Sequence, residues 1–257
     1  MTGGVCWRCQ CEAAMILNVD LGNSRIKWQL DDAGLSAGAD HIPPEALESG
    51  LRSIPWPLVN GVRLCSVASQ ELTQAVHVAC DSFSKPECTI EQVSFAQLPH
   101  WFSLGATDPQ QIGQDRVMAM LGAYIEHSTY SVIDAGTAVT IDYVHQGTHQ
   151  GGLIAPGLSL ARESLVSRTA RIGRIEPQLY SATLEPGRTT QKAVEHGVRR
   201  ALVALVQSAL RDAPQPLDRV LLTGGDAEWL QGHLDGPVEF QPELVFKGMA
   251  RFFASPS

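Results

Sequence analysis

The chain has 257 residues, enough to bury a substantial core as one large domain or two small ones. Hydrophobic residues make up 44% and charged residues 18%, and no apolar run nears the roughly 20 residues a membrane-spanning helix needs, so the composition predicts a soluble protein. The formal net charge is −8 and the 19 Lys and Arg are scattered, which leaves no footprint for a nucleic-acid backbone; an anionic substrate must be held by backbone N–H groups, a metal ion and a few cations.

Three of the six cysteines, Cys6, Cys9 and Cys11, crowd into "CWRCQC". A structural zinc site takes four ligands, and the next cysteine is Cys65, so residues 1–14 read instead as a disordered extension with Met15 opening the first domain. The extension lacks the apolar stretch of a signal peptide, which makes the cytoplasm the default compartment and the other cysteines reduced core thiols. From Met15, "MILNVDL" and "SRIKWQL" read as a β-hairpin turning at Gly22 and Asn23. A helix at "PPEALESGLRSI", a strand at "GVRLCSVAS", a helix at "SQELTQAVHVACDSF" and a strand at "ECTIEQV" follow. The aperiodic stretch "SFAQLPHWFSLGATDPQQIGQD" then enters an apolar helix, "RVMAMLGAYIEH".

The second half restarts the plan. "YSVIDAGTAVTIDYV" is strand, turn at Ala135 and Gly136, strand; "HQGGLIAPG" is a third strand, and the three are expected to be antiparallel. Helices at "LSLARESLVSRTA" and "TTQKAVEHGVRRALVALVQSALRD" come next, then "LDRVLLTGGDAEWL" as strand, Gly-rich turn and helix, and "PELVFKGMARFFA" as a closing helix. Strands followed by helices, run twice, predict two mixed α/β domains of similar topology, 15–127 and 128–257.

The chemistry sits in the turns. An Asp ending a strand before a Gly turn puts a carboxylate and several backbone N–H groups side by side, the elements of a phosphate and metal site. Asp20, Gly22, Asn23 and Ser24 make the first copy; Asp134, Gly136 and Thr137 make the second. A hairpin Asp capping its own turn gives the same local pattern, and the duplication is what favours the site. "LLTGGDA" offers a Gly-Gly turn, Thr223 to Gly225, on which a flat adenine or ribose can lie. No P-loop, GxSxG or HExxH motif is present, and "GQDR" supplies the best candidate base: Asp115, at a loop-to-helix junction, can take a proton from a substrate hydroxyl while Arg116 binds a carboxylate. An Asp favoured by the helix dipole is the alternative reading of the same position.

Taken in order, "DLGNSRIKW", "GQDR", "IDAGTAVTID", "GGLIAPG", "TTQKAVEHG" and "LLTGGD" resemble the type III pantothenate kinase family, which includes proteins named Bvg accessory factors. The resemblance spans nearly all of the chain after Met15. It implies a duplicated ribonuclease H-like domain pair of the acetate and sugar kinase, Hsp70 and actin superfamily, in which two copies of one domain close over ATP. It implies ATP contacts from Asp20, Leu21, Gly22, Asn23, Ser24, Arg25, Ile26, Lys27 and Thr137, with Asp20 near Mg2+ and Asp134 holding a monovalent cation, K+ or NH4+. Strand alternation groups Lys27 with Arg25 and Gln29, so a solvated face is an equal reading for it.

By the same resemblance Gly113, Gln114, Asp115 and Arg116 contact pantothenate, with Asp115 as catalytic base, and Thr190 completes the pocket from across a homodimer interface. Two departures are visible. Family members commonly carry Tyr nine residues before the base, where this chain has Ala106, and a small residue where it has Gln114. The implied activity is an alcohol-directed phosphotransfer from ATP to pantothenate, opening coenzyme A biosynthesis. An accessory protein that kept the nucleotide site but lost turnover is the alternative, and retention of Asp20, Asp115 and Asp134 together favours the enzyme. A sugar or acyl kinase of the same superfamily fits less well, because those chains are longer.

Overall fold

Strict alternation along Arg25–Leu30 sends Ile26, Trp28 and Leu30 into a core and leaves Arg25, Lys27 and Gln29 on the other face, the period-2 signature of a half-buried strand. In the computed structural model, which describes residues 15–31, 35–40, 44–105, 108, 111–169, 172 and 183–254, this strand is β2. It pairs antiparallel with β1 (Met15–Leu21) and with β3 (Leu35–Asp40). After helix α1 (Pro44–Arg52), β4 (Val59–Ser66) lies parallel to β1. Helix α2 (Gln70–Phe83) starts where the Ser69 hydroxyl accepts from the Leu72 N–H, and it leads to β5 (Thr89–Gln92), parallel to β4. The sheet order is β3-β2-β1-β4-β5. Val76, Ala79 and Cys80 of α2 pack into the core that Leu17, Val19 and Leu64 build.

The second sheet has the order β11-β10-β7-β8-β9-β6. Its strands are β6 (Ser103–Leu104), β7 (Thr129–Ala135), β8 (Ala138–His145), β9 (Thr148–Pro156), β10 (Arg219–Thr223) and β11 (Glu239–Phe240). β7, β8 and β9 form the expected antiparallel meander, and β10 and β11 extend it in parallel from β7. Read from β9 to β11, this repeats the first sheet strand for strand and direction for direction, with β6 added beside β9. The duplication inferred from two Asp-Gly turns therefore extends to whole sheets. The helices are α3 (Gln114–Ala123), α4 (Leu158–Arg168), α5 (Thr190–Arg211), α6 (Ala227–Gln231) and α7 (Leu244–Ala254).

The chain separates into two compact units at Gln92 and Val93, whereas the repeat suggests a boundary at 127/128. Residues 93–127 pack with the second unit for identifiable reasons. Helix α3 crosses α7 so closely that a Cβ at Gly122 would overlap the Leu244 carbonyl oxygen, and one at Gly248 that of Met118. Arg251 donates to the Leu121 and Tyr124 carbonyls at 2.7 Å each, and Tyr130 donates to Met120 at 2.9 Å. Among the described residues no helix is long and apolar enough to cross a membrane. The cysteine cluster at 6–11 and Ala106 lie outside the described residues.

Candidate active site

In the first unit Asp20 sits one residue from the end of the central strand β1, flanked in register by Lys27 on β2 and Cys65 on β4. Directly opposed residues project to the same face, so the buried Asp20 carboxylate has Lys27 as its cross-strand neighbour. The Gly22 N–H donates to the Arg25 carbonyl at 2.9 Å to close the turn. Asn23 and Arg25 are exposed, whereas Leu21 and Ile26 are fully buried in the core. Of the stretch 20–27, Leu21 and Ile26 thus have only main chain to offer a nucleotide.

The second turn is one residue shorter. Four residues separate the last pair of the first hairpin, Leu21 and Ile26, and three separate Ala135 and Val139. Here Asp134 opposes Thr140 in place of a lysine. The Gly136 N–H donates to Ala138 at 3.1 Å, and Thr137 stands exposed at the tip with its carbonyl accepting from the Gly157 N–H at 3.0 Å. A Cβ at Gly157 would overlap the Gly136 carbonyl, and one at Gly224, where φ is +99°, would lie 2.5 Å from the Asp134 Oδ1. The Asp226 N–H donates to Ala135 at 2.9 Å. Turn, α4 entry and Gly-Gly turn therefore meet backbone to backbone around Asp134, too closely for side chains at Gly157 and Gly224.

Behind that surface, Arg162 of α4 and Arg199 of α5 both reach the buried Glu195 carboxylate, at 3.1 and 2.9 Å. The Arg162–Glu195 pair ties α4 to α5, at whose N-terminus Thr190 is exposed beside the capping Thr189. Burial pushes the Asp226 carboxyl up, opposed by the charges of Arg162 and Arg199.

Asp115 lies in the first turn of α3, as the loop-to-helix reading expects, and its Oδ1 accepts from the Arg116 N–H at 2.7 Å. Burial pushes its carboxyl above the usual aspartate range; the Arg116 amide and guanidinium pull it down and the Asp142 charge adds to the rise. Gly113 is the N-cap residue, and the Gln114 side chain donates to the Val93 carbonyl at 3.0 Å, anchoring the long loop's start. Arg116 is already engaged with a carboxylate of the protein itself: Nε reaches Asp142 Oδ2 at 2.9 Å and Nη2 reaches Oδ1 at 2.5 Å. The sequence reading of Arg116 as a carboxylate binder is thereby narrowed, since one edge of the guanidinium is committed to β8 and only the other edge can face a substrate. Asp142 Oδ1 also meets His149 Nε2 at 2.9 Å. Burial alone would raise the Asp142 carboxyl, but the hydrogen bonds from His149 and Arg116 outweigh it and hold it below the usual range.

Gly113 to Arg116, Asp134 and Thr137 fall in one unit with Thr190, and Asp20 to Lys27 fall in the other. Sequence reasoning missed Asp142 and His149. The signal for Asp142 was two polar residues on one face of β8, Thr140 and Asp142, opposite Val139, Ile141 and Tyr143; His149 carried none, because a register shift in β9 sets its face. Among the described residues no three His, Cys, Asp or Glu side chains gather into a metal cage.

The duplicated meander-plus-parallel sheets define the class: a mixed α/β protein of two units that share one sheet topology. Solved structures of the same fold include a Campylobacter jejuni protein described as a Baf family transcriptional activator, with a TM-score of 0.58, 20% identity and coverage of 92% of this chain and 96% of that one. Another is a Sinorhizobium meliloti protein described as a 2-dehydro-3-deoxygalactonokinase, with a TM-score of 0.55, 13% identity and coverage of 92% and 97%. The family model for type III pantothenate kinase matches residues 16–212. The chain is 38% identical over 248 residues to the type III pantothenate kinase of Pseudomonas savastanoi pv. phaseolicola, covering 92% of this chain and 98% of that protein. It is 33% identical over 253 residues to that of Cellvibrio japonicus, covering 93% and 97%. The chain belongs to the type III pantothenate kinase family.

Proposed function

We propose that this chain transfers the γ-phosphoryl group of ATP to the primary hydroxyl of pantothenate, giving ADP and 4'-phosphopantothenate, the first step of coenzyme A biosynthesis. The observation that carries the reading is Asp115, a half-buried helix-entry carboxylate held above its ordinary range beside an arginine locked in place, in a chain of this family. In the reaction the pantothenate hydroxyl oxygen bonds to the γ-phosphorus, its proton passes to Asp115, and the bond from the γ-phosphorus to the β,γ-bridging oxygen breaks to release ADP. A carboxyl raised above its ordinary range is a stronger base than a free aspartate, which suits this step.

Phosphoryl transfer asks the protein chiefly for positioning and charge neutralisation. In this reading the turn at Asp20 to Lys27 and the Thr137 tip bind the phosphates through backbone amides, with Lys27 as a cation on the face of Asp20. Mg2+ takes one or two carboxylates and otherwise phosphate and water oxygens, a requirement that Asp20 meets without a protein cage. Asp134, set against the backbone of Gly136 and Gly224, supplies the carboxylate for K+ or NH4+. Gly113, Gln114, Arg116 and Thr190 line the acceptor, Thr190 from a second copy of the chain in a homodimer. Its exposure at the start of α5, with Ile154 and Leu160 exposed on β9 and α4, supports that assembly. The same proposal takes 15–127 and 128–257 as the two repeat units, since the second meander begins with β7, and the cytoplasm as the compartment, where ATP and reduced thiols are found.

The test is ADP release by the purified protein with ATP, Mg2+, K+ and pantothenate. Turnover that requires pantothenate, with product of the mass of 4'-phosphopantothenate, is expected. A protein that binds ATP but releases no ADP under these conditions would refute the enzyme reading.

A further inference from the structure

The buried Asp142 and His149 have no role in the phosphotransfer described above, and their meeting requires a defect in β9. Opposed residues share a face, and Asp142 pairs with Gly152 and Tyr143 with Gly151. Uninterrupted pairing would then set Val144 against Gln150 and turn His149 to the opposite face from Asp142. Instead Val144 pairs with His149, leaving Gln150 over at a bulge where Gly151 has φ +108°. The bulge brings His149 onto the Asp142 face, and the side chains meet at 2.9 Å with 1% and 3% exposure. A carboxylate only accepts, so Nε2 carries the hydrogen and donates. The ring's Nδ1 is buried with no partner among the described residues, a cost that an apolar packing residue would not incur. Gly152 completes the arrangement, since a Cβ there would lie 2.8 Å from Arg116 Nη2.

Buried ion pairs contribute little to stability compared with well-packed apolar residues of the same volume, so the bulge, the orphan nitrogen and the pair call for another explanation. We propose that Asp142 and His149 are positioning residues for acceptor recognition: they clamp the Nε and Nη2 edge of Arg116 so that its remaining Nη1 edge is presented, in fixed orientation beside Asp115, to the carboxylate of the acceptor. The inference rests on the pantothenate kinase reading and adds to it the groups that select an anionic acceptor. The guanidinium is planar, so gripping one edge sets the direction of the other, which a lysine at this position would not do. His149 acts one step further out, holding the Asp142 carboxylate in the plane that receives Arg116.

The experiment compares two acceptors that share the primary hydroxyl, pantothenate and panthenol, in which a neutral alcohol replaces the carboxylate. Steady-state constants are measured for the wild type, Asp142→Asn, His149→Gln and His149→Leu, with the ATP KM and the thermal midpoint recorded for each. In Asp142→Asn the ratio of kcat/KM for pantothenate to that for panthenol is expected to fall about 10- to 100-fold, mainly through the pantothenate KM, with the ATP KM unchanged within about twofold. His149→Leu lowers the same ratio, and His149→Gln, which restores an N–H donor, recovers it. A wild-type ratio in a folded Asp142→Asn protein overturns the inference, and so does an equal loss for both acceptors. If Asp142→Asn does not fold, the His149 pair decides: equal ratios in His149→Leu and His149→Gln overturn it. A wild type that fails to phosphorylate pantothenate overturns the functional reading itself, a result separate from these.

Discussion

Replacing Gly152 by alanine tests the site's packing most directly. The residue lies in β9 opposite Asp142, where an added Cβ would stand 2.5 Å from the Ile141 carbonyl oxygen and 2.8 Å from Arg116 Nη2, and would overlap Asp142 Oδ1. Ordinary contacts begin near 3.4 Å, and the Ile141 backbone cannot retreat because its side chain is fully buried in the second core. The Arg116–Asp142 pair must therefore yield. Overpacking alone costs about 1–3 kcal/mol, and parting a buried pair about 3–5 kcal/mol, so a loss of about 2–4 kcal/mol is expected for a partial displacement. In a protein of this size that lowers the thermal midpoint by roughly 5–15 °C. Gly197→Ala is the internal control: it lies exposed within α5 with nothing within 4 Å of the added Cβ, and should stabilise by about 0.5–1 kcal/mol. Urea melts of both variants, with the pantothenate KM of Gly152→Ala, decide the matter. A Gly152→Ala protein within about 0.5 kcal/mol of wild type, with an unchanged pantothenate KM, would refute the claim that the ion pair fills that space.

Asp115→Asn should lower kcat by about 10²–10⁴-fold without lowering stability at pH 7. The folded-state pKa of Asp115 is raised, so ionising it disfavours the fold as pH rises above the ordinary aspartate range, and removing the charge relieves the penalty; equilibrium unfolding of wild type and variant across a pH series from that range upward reads the difference. The same shift places the acid limb of kcat/KM above the ordinary aspartate range, with activity lost as pH falls through it, which a pH-rate profile measures. Gly224→Ala, forced to φ +99° and against Asp134, should cost about 1–2 kcal/mol and raise the ATP KM more than the pantothenate KM, by the steady-state comparison of the two. Exchanging K+ for Na+ should lower turnover in the wild type and leave little further loss in Asp134→Asn, measured as ADP release at constant ionic strength.

Local signals carried most of the fold. Both hairpins were legible because period-2 burial and an Asp-Gly turn are written within a dozen residues, as in Arg25–Leu30. Strand β3 was not: "LSAGAD" has Ser36, Ala37 and Gly38 exposed at the sheet edge, so no apolar alternation marks it. The two-residue strands β6 and β11 exist only because β9 and β10 offer them an edge. Asp115 could be found at a helix entry, but the partner of Arg116 could not. It lies 26 positions away on β8, and its own support from His149 depends on a bulge that shifts the register by one residue. A single leftover residue in a strand inverts which side chains share a face, and sequence alternation cannot announce it.

The two copies have also diverged at their turns. Their sheets retain one strand order, yet the first turn is longer and sets a lysine opposite its Asp, while the second is shorter and sets a threonine there. Under the proposed function, a cation opposite Asp20 would suit a turn that takes phosphate and Mg2+, and a neutral Thr140 opposite Asp134 would leave that carboxylate's charge for a monovalent ion. The proposed base, its arginine and their support on β8 and β9 belong to the second unit, which has also drawn in the 93–127 segment through the α3–α7 crossing at Gly122 and Gly248. Packing thus departs from repeat ancestry at the helix that carries Asp115. That helix is held by α7, while Asp142 of β8 and His149 of β9 hold its Arg116, and all of these elements lie in one unit.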